Sequence, residues 1–120
     1  MAKHNELGKL GEELAVAFLK ENGYEIIDTN WRFQKAEIDI VAKKVDTLAI
    51  IEVKSRSSAD FGLPQDFVNS KKIQHLIRAA DEYVRQKNTD SKIRFDIIAI
   101  LKQGKDNFSI EHIEDAFYYF

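Results

Sequence analysis

Residues 37–42 read EIDIVA and residues 48–56 read LAIIEVKSR, with the break KKVDT between them. Both segments are rich in β-branched residues, and a short polar break between two such segments predicts a β-hairpin. The second segment begins with four consecutive apolar residues, which is typical of a strand covered on both faces. We therefore expect this hairpin at the centre of a buried sheet.

The charged residues of the hairpin fall at positions that can face one another. Side chains alternate across a strand, so Glu52 and Lys54 share one face of the second strand. If the loop is even and centred between Val45 and Asp46, Asp39 lies directly opposite Glu52. The sequence thus predicts two carboxylates and an ammonium group on one patch, where the strand leaves the core.

The chain as a whole is typical of one small globular domain. Its 120 residues, 44% hydrophobic and 32% charged, predict a single domain over residues 1–120. No apolar run is long enough to span a bilayer and no signal peptide is recognisable, so we expect a cytoplasmic protein without membrane contact. The absence of cysteine excludes disulfides and thiolate-zinc sites, and the net charge of -2 means that a polyanion needs a local basic patch or a bridging metal.

Periodicity predicts two helices and three further segments of strand. The expected elements are a helix from about 6 to 22 capped by Asn5, a strand at 24–32, the hairpin, a loop at 57–64, a helix from 70 to 87 capped by Ser70 or Asn69, and strands at 93–101 and 108–113. A helix between the third and fourth strands makes those two strands parallel. The fold class is therefore α/β, a central mixed β-sheet flanked by helices in the order α-β-β-β-α-β-β.

The hairpin residues suit phosphodiester hydrolysis. That reaction needs a hard cation, and carboxylates such as Asp39 and Glu52 are the ligands that Mg²⁺ or Mn²⁺ prefers. Lys54 is placed to orient the attacking water or to offset charge on the phosphate. The alternative is an ordinary amphipathic strand whose glutamate and lysine are solvated.

Four motifs together resemble a known family: GKLGEELA at residues 8–15, EIDIVA at 37–42, IEVKSR at 51–56 and RFD at 94–96. They resemble the YraN-like family of predicted bacterial endonucleases, which is similar to archaeal Holliday junction resolvases and has the restriction-endonuclease-like fold. The resemblance spans nearly the whole chain and keeps the order and spacing of the motifs.

The resemblance implies roles for individual residues. Asp39, Glu52 and Lys54 match the two acids and the lysine of the nuclease motif, and Glu12 matches an accessory acid near the metal. It also implies a homodimer as one alternative, because junction-cutting enzymes of this fold typically pair to cut two strands.

Other charged residues have two interpretations each. Arg56, Lys71 and Lys72 are candidates for contacts with a nucleic-acid backbone, against a plain charged surface. Arg94 and Asp96 are predicted to form an internal ion pair. The expected function is a metal-dependent endonuclease acting on DNA, with branched or structured DNA and also RNA left open. The alternative is a non-catalytic module of the same fold that binds nucleic acid or a protein.

Overall fold

The computed structural model describes residues 2–57 and 70–117. Within them the elements follow the predicted order α-β-β-β-α-β-β, which confirms the predicted α/β fold class. Their bounds are α1 (Ala2–Glu21), β1 (Glu25–Phe33), β2 (Ala36–Lys44), β3 (Thr47–Ser57), α2 (Ser70–Lys87), β4 (Lys92–Lys102) and β5 (Phe108–Ile113). No helix among these residues is long and apolar enough to cross a membrane.

The strands form one mixed sheet in the order β1-β2-β3-β4-β5. All neighbours are antiparallel except β3 and β4, which pair in parallel along the full length of both strands. Because α2 lies between β3 and β4 in the chain, this pair is the predicted crossover. The arrangement agrees with the restriction-endonuclease-like sheet that the resemblance implies.

The β2–β3 hairpin has the register that the sequence predicts. Lys44 pairs with Thr47 across a loop of two residues, Val45 and Asp46. Val45 has a φ of 58°, which is rare for a β-branched residue. The tight turn fixes which residues face one another along both strands.

At its other end the hairpin opens. The pairing runs as far as Ile40 opposite Ile51, so Asp39 and Glu52 are the next positions on two strands that have begun to part. Alternation along β2 is also interrupted there, because Ile38 packs with the side chains beneath α2 whereas Ile40 packs with those beneath α1. Asp39 therefore lies at a bend in β2.

Each helix covers one face of the sheet. Leu76, Ala79, Ala80 and Tyr83 of α2 pack on one face, and Ala15 and Leu19 of α1 pack on the other. The sheet side chains with α2 include Ile38, Val41, Leu48, Ile50 and Ile97, and those with α1 include Ile40, Ala49, Ile51, Ile98 and Ile100. Both faces of β3 are thus buried, as its apolar run predicts.

The predicted ion pair between Arg94 and Asp96 is confirmed. Asp96 is 0% exposed and accepts hydrogen bonds from Arg94 Nε at 2.9 Å, Arg94 Nη2 at 2.8 Å and the Asp115 backbone N–H at 3.1 Å. His112 Nε2 lies 2.8 Å from the same carboxylate. Burial raises the pKa of Asp96, but the hydrogen bonds with His112 and Arg94 outweigh it and hold that pKa below its usual value. This network joins β4 to β5.

The first helix begins earlier than predicted. It starts at Ala2, so Asn5 lies inside it and its predicted role as the N-cap is wrong. Alanine and lysine are strong helix formers, which explains why the helix continues upstream of Asn5. Further along, Gly11 packs closely on β3, since a Cβ there would overlap Ser55 Oγ.

Two sequence predictions extend beyond the described residues. Apart from Ser57, the loop predicted at 57–64 lies outside the described residues. Asn69, one of the two candidate caps of the second helix, lies outside them too. The other candidate, Ser70, is the first residue of α2. The aromatic end of the chain is described only to Phe117. Its ring is buried against Phe95, with the ring centroids 6.4 Å apart.

Candidate functional site

Asp39 marks the point where β2 parts from β3. Its Oδ2 accepts a hydrogen bond from the Val53 backbone N–H at 2.8 Å, in place of the strand partner that β2 no longer provides. Burial, followed by the charge of Glu52, raises the pKa of Asp39 to about 7, although the Val53 hydrogen bond opposes the shift. The structure therefore holds this carboxyl group where its ionised form is unfavourable.

Glu52 is deeply buried, at 3% exposed. Its Oε2 lies 2.7 Å from Lys72 Nζ and 3.4 Å from Lys54 Nζ, so two ammonium groups converge on one oxygen. A buried carboxylate needs such partners because leaving it unpaired is costly. Glu52, Lys54 and Asp39 thus form one cluster, as the predicted register requires.

The pKa values of Lys54 and Lys72 are shifted in opposite directions. Burial lowers the pKa of Lys54, and the nearby Glu52 offsets only part of that shift. Burial is the largest influence on the pKa of Lys72 and lowers it, but the hydrogen bond with Glu52, the charge of Glu52 and the weaker effects of Lys54 and Asp39 together leave that pKa raised. Lys54 is therefore the lysine from which a proton leaves more readily, whereas Lys72 keeps its charge beside Glu52.

Two further acids lie near this cluster. Glu12 of α1 is partly buried, and its pKa is raised mainly by burial, with contributions from the charges of Glu37 and Glu52. Glu37 of β2 forms an ion pair with Arg32 at 3.3 Å. The charges of Glu12 and Glu37 both add to the raised pKa of Asp39, although less than burial and the charge of Glu52 do.

Two cavities flank the cluster, and Asp39, Glu52 and Lys72 line both. The first has a volume of about 390 Å³ and is also lined by Lys35, Glu37, Lys71 and His75. The second has a volume of about 300 Å³ and is also lined by Gly8, Glu12, Lys54, Ser55 and Arg56. The carboxylates thus lie between two open spaces whose walls carry basic side chains.

The predicted nucleic-acid contacts separate into two groups. Arg56 and Lys71 line the cavity walls, one on each side of the cluster. Lys72, in contrast, contacts Glu52 directly. The sequence leaves Lys72 either as a contact for nucleic acid or as part of a charged helix surface, because no local pattern shows that the first turn of α2 reaches Glu52 in the middle of β3. Lys35 and His75 were not predicted, and no sequence signal distinguishes them from surface residues.

The donor set of the cluster fits a hard divalent cation that keeps part of its water shell. Among the described residues, no group of three or more histidine, aspartate or glutamate side chains lies close enough to hold a metal. Mg²⁺, however, is commonly bound through only one or two carboxylates. In an extended strand the N–H and C=O of a residue point to the same side, so the Val53 carbonyl faces the side of Asp39. Asp39, Glu52 and this carbonyl are candidate oxygen donors, and Glu12 lines the same cavity as both carboxylates.

The fold and the cluster define a class of protein: a mixed-sheet α/β domain with paired carboxylates and lysines at the open end of its central hairpin. The model of the uncharacterised protein family UPF0102 matches residues 11–100, and the chain belongs to this family. The predicted YraN-like membership is thereby confirmed. The match shows the family and not an activity.

Full-length relatives support this membership. The chain is 61% identical to a UPF0102 protein of Flavobacterium psychrophilum over 120 residues, covering all of both chains. It is 57% identical to a UPF0102 protein of Christiangramia forsetii, again over all of both chains. A UPF0102 protein of Bacteroides fragilis is 50% identical over 119 residues, which are 98% of this chain and 97% of that protein.

Proposed function

We propose that the protein is a metal-dependent endonuclease that hydrolyses phosphodiester bonds in DNA, with branched or structured DNA as the first substrates to test. The observation that carries this proposal is the meeting of Asp39 and Glu52 at the hairpin end, where burial and mutual repulsion raise the pKa of Asp39 to about 7. Carboxyl groups held in such an unfavourable state, inside a cleft, are typical of functional sites.

In this proposal Asp39 and Glu52 hold Mg²⁺ or Mn²⁺, with Glu12 as an accessory acid. When bound, the ion neutralises charge on the phosphate and lowers the pKa of water. Lys54 lies beside Glu52, where its ammonium group can orient the attacking water or stabilise charge on the phosphate in the transition state. Arg56 and Lys71 hold the nucleic-acid backbone on the two sides of the cut.

The second candidate is a module of the same fold that binds nucleic acid or a protein without cutting. It is favoured by the absence, among the described residues, of a group of three or more acidic or histidine side chains that could hold a metal. Such a module would bind DNA with strong salt dependence but without a requirement for a divalent ion.

Metal binding is the first test. Titration of the protein with Mn²⁺ in a calorimeter should show one binding event, which Asp39→Asn and Glu52→Gln each abolish. Asp106→Asn, which removes an exposed carboxylate in the turn between β4 and β5, is the matched control and should bind as the wild type does. Equal Mn²⁺ binding by all four proteins would place the ion elsewhere and contradict the proposed site.

Cleavage is the second test. Supercoiled, single-stranded, flapped and four-way DNA, with matched RNA, should be incubated with the protein and Mn²⁺ or Mg²⁺. We expect cutting of at least one substrate, its loss in Lys54→Ala and Asp39→Asn, and its retention in Lys105→Ala, which changes an exposed turn lysine. Cleavage that survives both Lys54→Ala and Asp39→Asn would point to a contaminant or to another site.

A homodimer is also proposed, and the surface of α2 offers a place for it. Ile77 of α2 and Ile93 of β4 are each 36% exposed and line a cavity of about 240 Å³ together with Val84 and Phe95. Light scattering coupled to size exclusion should give twice the mass of the chain. Ile77→Lys should then give a monomer, whereas a wild-type protein of single mass would contradict the dimer.

A further inference from the structure

The position of Lys72 has a consequence for how a metal enters the site. Its ammonium group lies 2.7 Å from Glu52 Oε2, closer than that of Lys54 at 3.4 Å. It also borders both cavities, together with Asp39 and Glu52. Lys72 therefore shares with the two carboxylates the wall between the two cavities.

The partners in this ion pair differ in freedom to move. Glu52 is held in β3 by the pairing of this strand with β4, where Glu52 lies opposite Ile97, and its side chain is 4% exposed. The Lys72 side chain is 42% exposed, and a flexible four-carbon stem carries its ammonium group. When a second cation approaches Glu52, Lys72 is the partner that can leave, because the cavities beside it are open to solvent.

We propose that Lys72 acts as a replaceable cation, which occupies Glu52 Oε2 while the site is free of metal and is displaced into the cleft when a divalent ion binds. This inference rests on the proposed metal site. A carboxylate that is buried needs a positive partner in either state, and the exchange supplies one in both. The released ammonium group then lies in the cavities that Arg56 and Lys71 line, where a phosphate would be held.

The proposed exchange predicts how removal of Lys72 changes the affinity for the metal. If Lys72 competes with the metal for Glu52, its removal should tighten metal binding, whereas the loss of a residue that merely supports the site should weaken it. The hydrogen bond at stake joins two charged groups and is partly exposed, so we expect about tenfold tighter binding of Mn²⁺ in Lys72→Met.

The test is calorimetric titration with Mn²⁺ alone at pH 8, without DNA. The proteins are the wild type, Lys72→Met, Lys72→Arg and Lys71→Met. Lys72→Arg keeps the competing cation and should stay within about threefold of the wild type. Lys71→Met removes an equal charge from the neighbouring exposed position and should do the same, which separates direct competition from general electrostatic repulsion.

The outcomes distinguish this inference from the proposed function. Unchanged or weaker binding by Lys72→Met, with binding by the wild type intact, overturns the exchange and leaves the metal site standing. No binding by the wild type overturns both. If Lys72→Met does not fold, Lys72→Gln takes its place in the titration. A crystal structure with Mn²⁺ gives a second measurement, and Lys72 Nζ still within hydrogen-bond distance of Glu52 Oε2 would refute the exchange.

Discussion

Replacing Asp39 by asparagine should make the metal-free protein more stable at alkaline pH. Asparagine has nearly the same shape, and its Oδ1 can still accept the hydrogen bond from the Val53 backbone N–H. What the substitution removes is a charge that burial and Glu52 both disfavour. Stability and proposed activity should therefore change in opposite directions at this position.

The raised pKa of Asp39 gives the size and sign of the effect. Its pKa rises from the usual 3.8 to about 7 in the folded protein, so between these values the folded state binds more protons than the unfolded state. Stability therefore falls as the pH rises through this window. The ionisation of Asp39 thus lowers the free energy of unfolding of the wild type by about 1 kcal/mol at pH 4.5 and by about 4 kcal/mol at pH 8. Asp39→Asn should recover this loss at each pH.

Urea denaturation in the presence of EDTA measures this difference at pH 4.5 and pH 8. Asp106→Asn, at an exposed carboxylate, should follow the wild type at both values. At pH 8, Mn²⁺ at 100 times its dissociation constant should raise the free energy of unfolding of the wild type by about 2.7 kcal/mol. The same concentration should leave the stability of Asp39→Asn unchanged. The reasoning is refuted if the gap between Asp39→Asn and the wild type is the same at both pH values, or if the variant is the less stable protein at pH 8.

Three further predictions concern the site and its support. The affinity for Mn²⁺ should fall about tenfold for each pH unit below about 7, the pKa of Asp39, because this residue must lose its proton to bind the ion. Calorimetry at pH 5.5, 6.5 and 7.5 measures the affinity. An affinity that does not change with pH would contradict the prediction. Gly11→Ala should destabilise the protein by about 1 to 3 kcal/mol through overlap with Ser55 Oγ, and Ser55→Ala in the same chain should recover most of that in urea melts. Arg94→Met should cost about 3 to 5 kcal/mol by leaving Asp96 with a buried charge and fewer partners, and a loss below 1 kcal/mol would show that His112 suffices.

Local patterns in the sequence predict most of the fold. The alternation of β-branched residues and the two-residue turn at Val45 and Asp46 determine the hairpin register, because a shift by one residue would expose the apolar face. Asn5 lies inside α1 instead of capping it, since its capping preference competes with a helix-forming sequence on both sides. Prediction is therefore reliable where one pattern dominates over several residues.

The site could be predicted only in part, because some of its contacts depend on how distant segments pack in the folded chain. Asp39, Glu52 and Lys54 belong to one hairpin, so alternation alone brings them together. Lys72 arrives from α2, across a crossover whose docking no local pattern specifies. The early end of the β2–β3 pairing, which leaves Val53 N–H for Asp39, is likewise a property of the folded sheet.

The architecture divides the site into a rigid and a movable part. β3 pairs with β4 over its whole length, so Glu52 and Lys54 keep their positions even where β2 departs. Where β2 departs, the Val53 N–H donates a hydrogen bond to Asp39 Oδ2 at 2.8 Å, which holds this carboxylate against β3. Lys72, in contrast, reaches Glu52 from α2 on a long side chain that is 42% exposed. The proposed metal site suits this combination, because the two proposed carboxylate ligands are held by the sheet and the proposed competing charge lies on a side chain that borders both cavities.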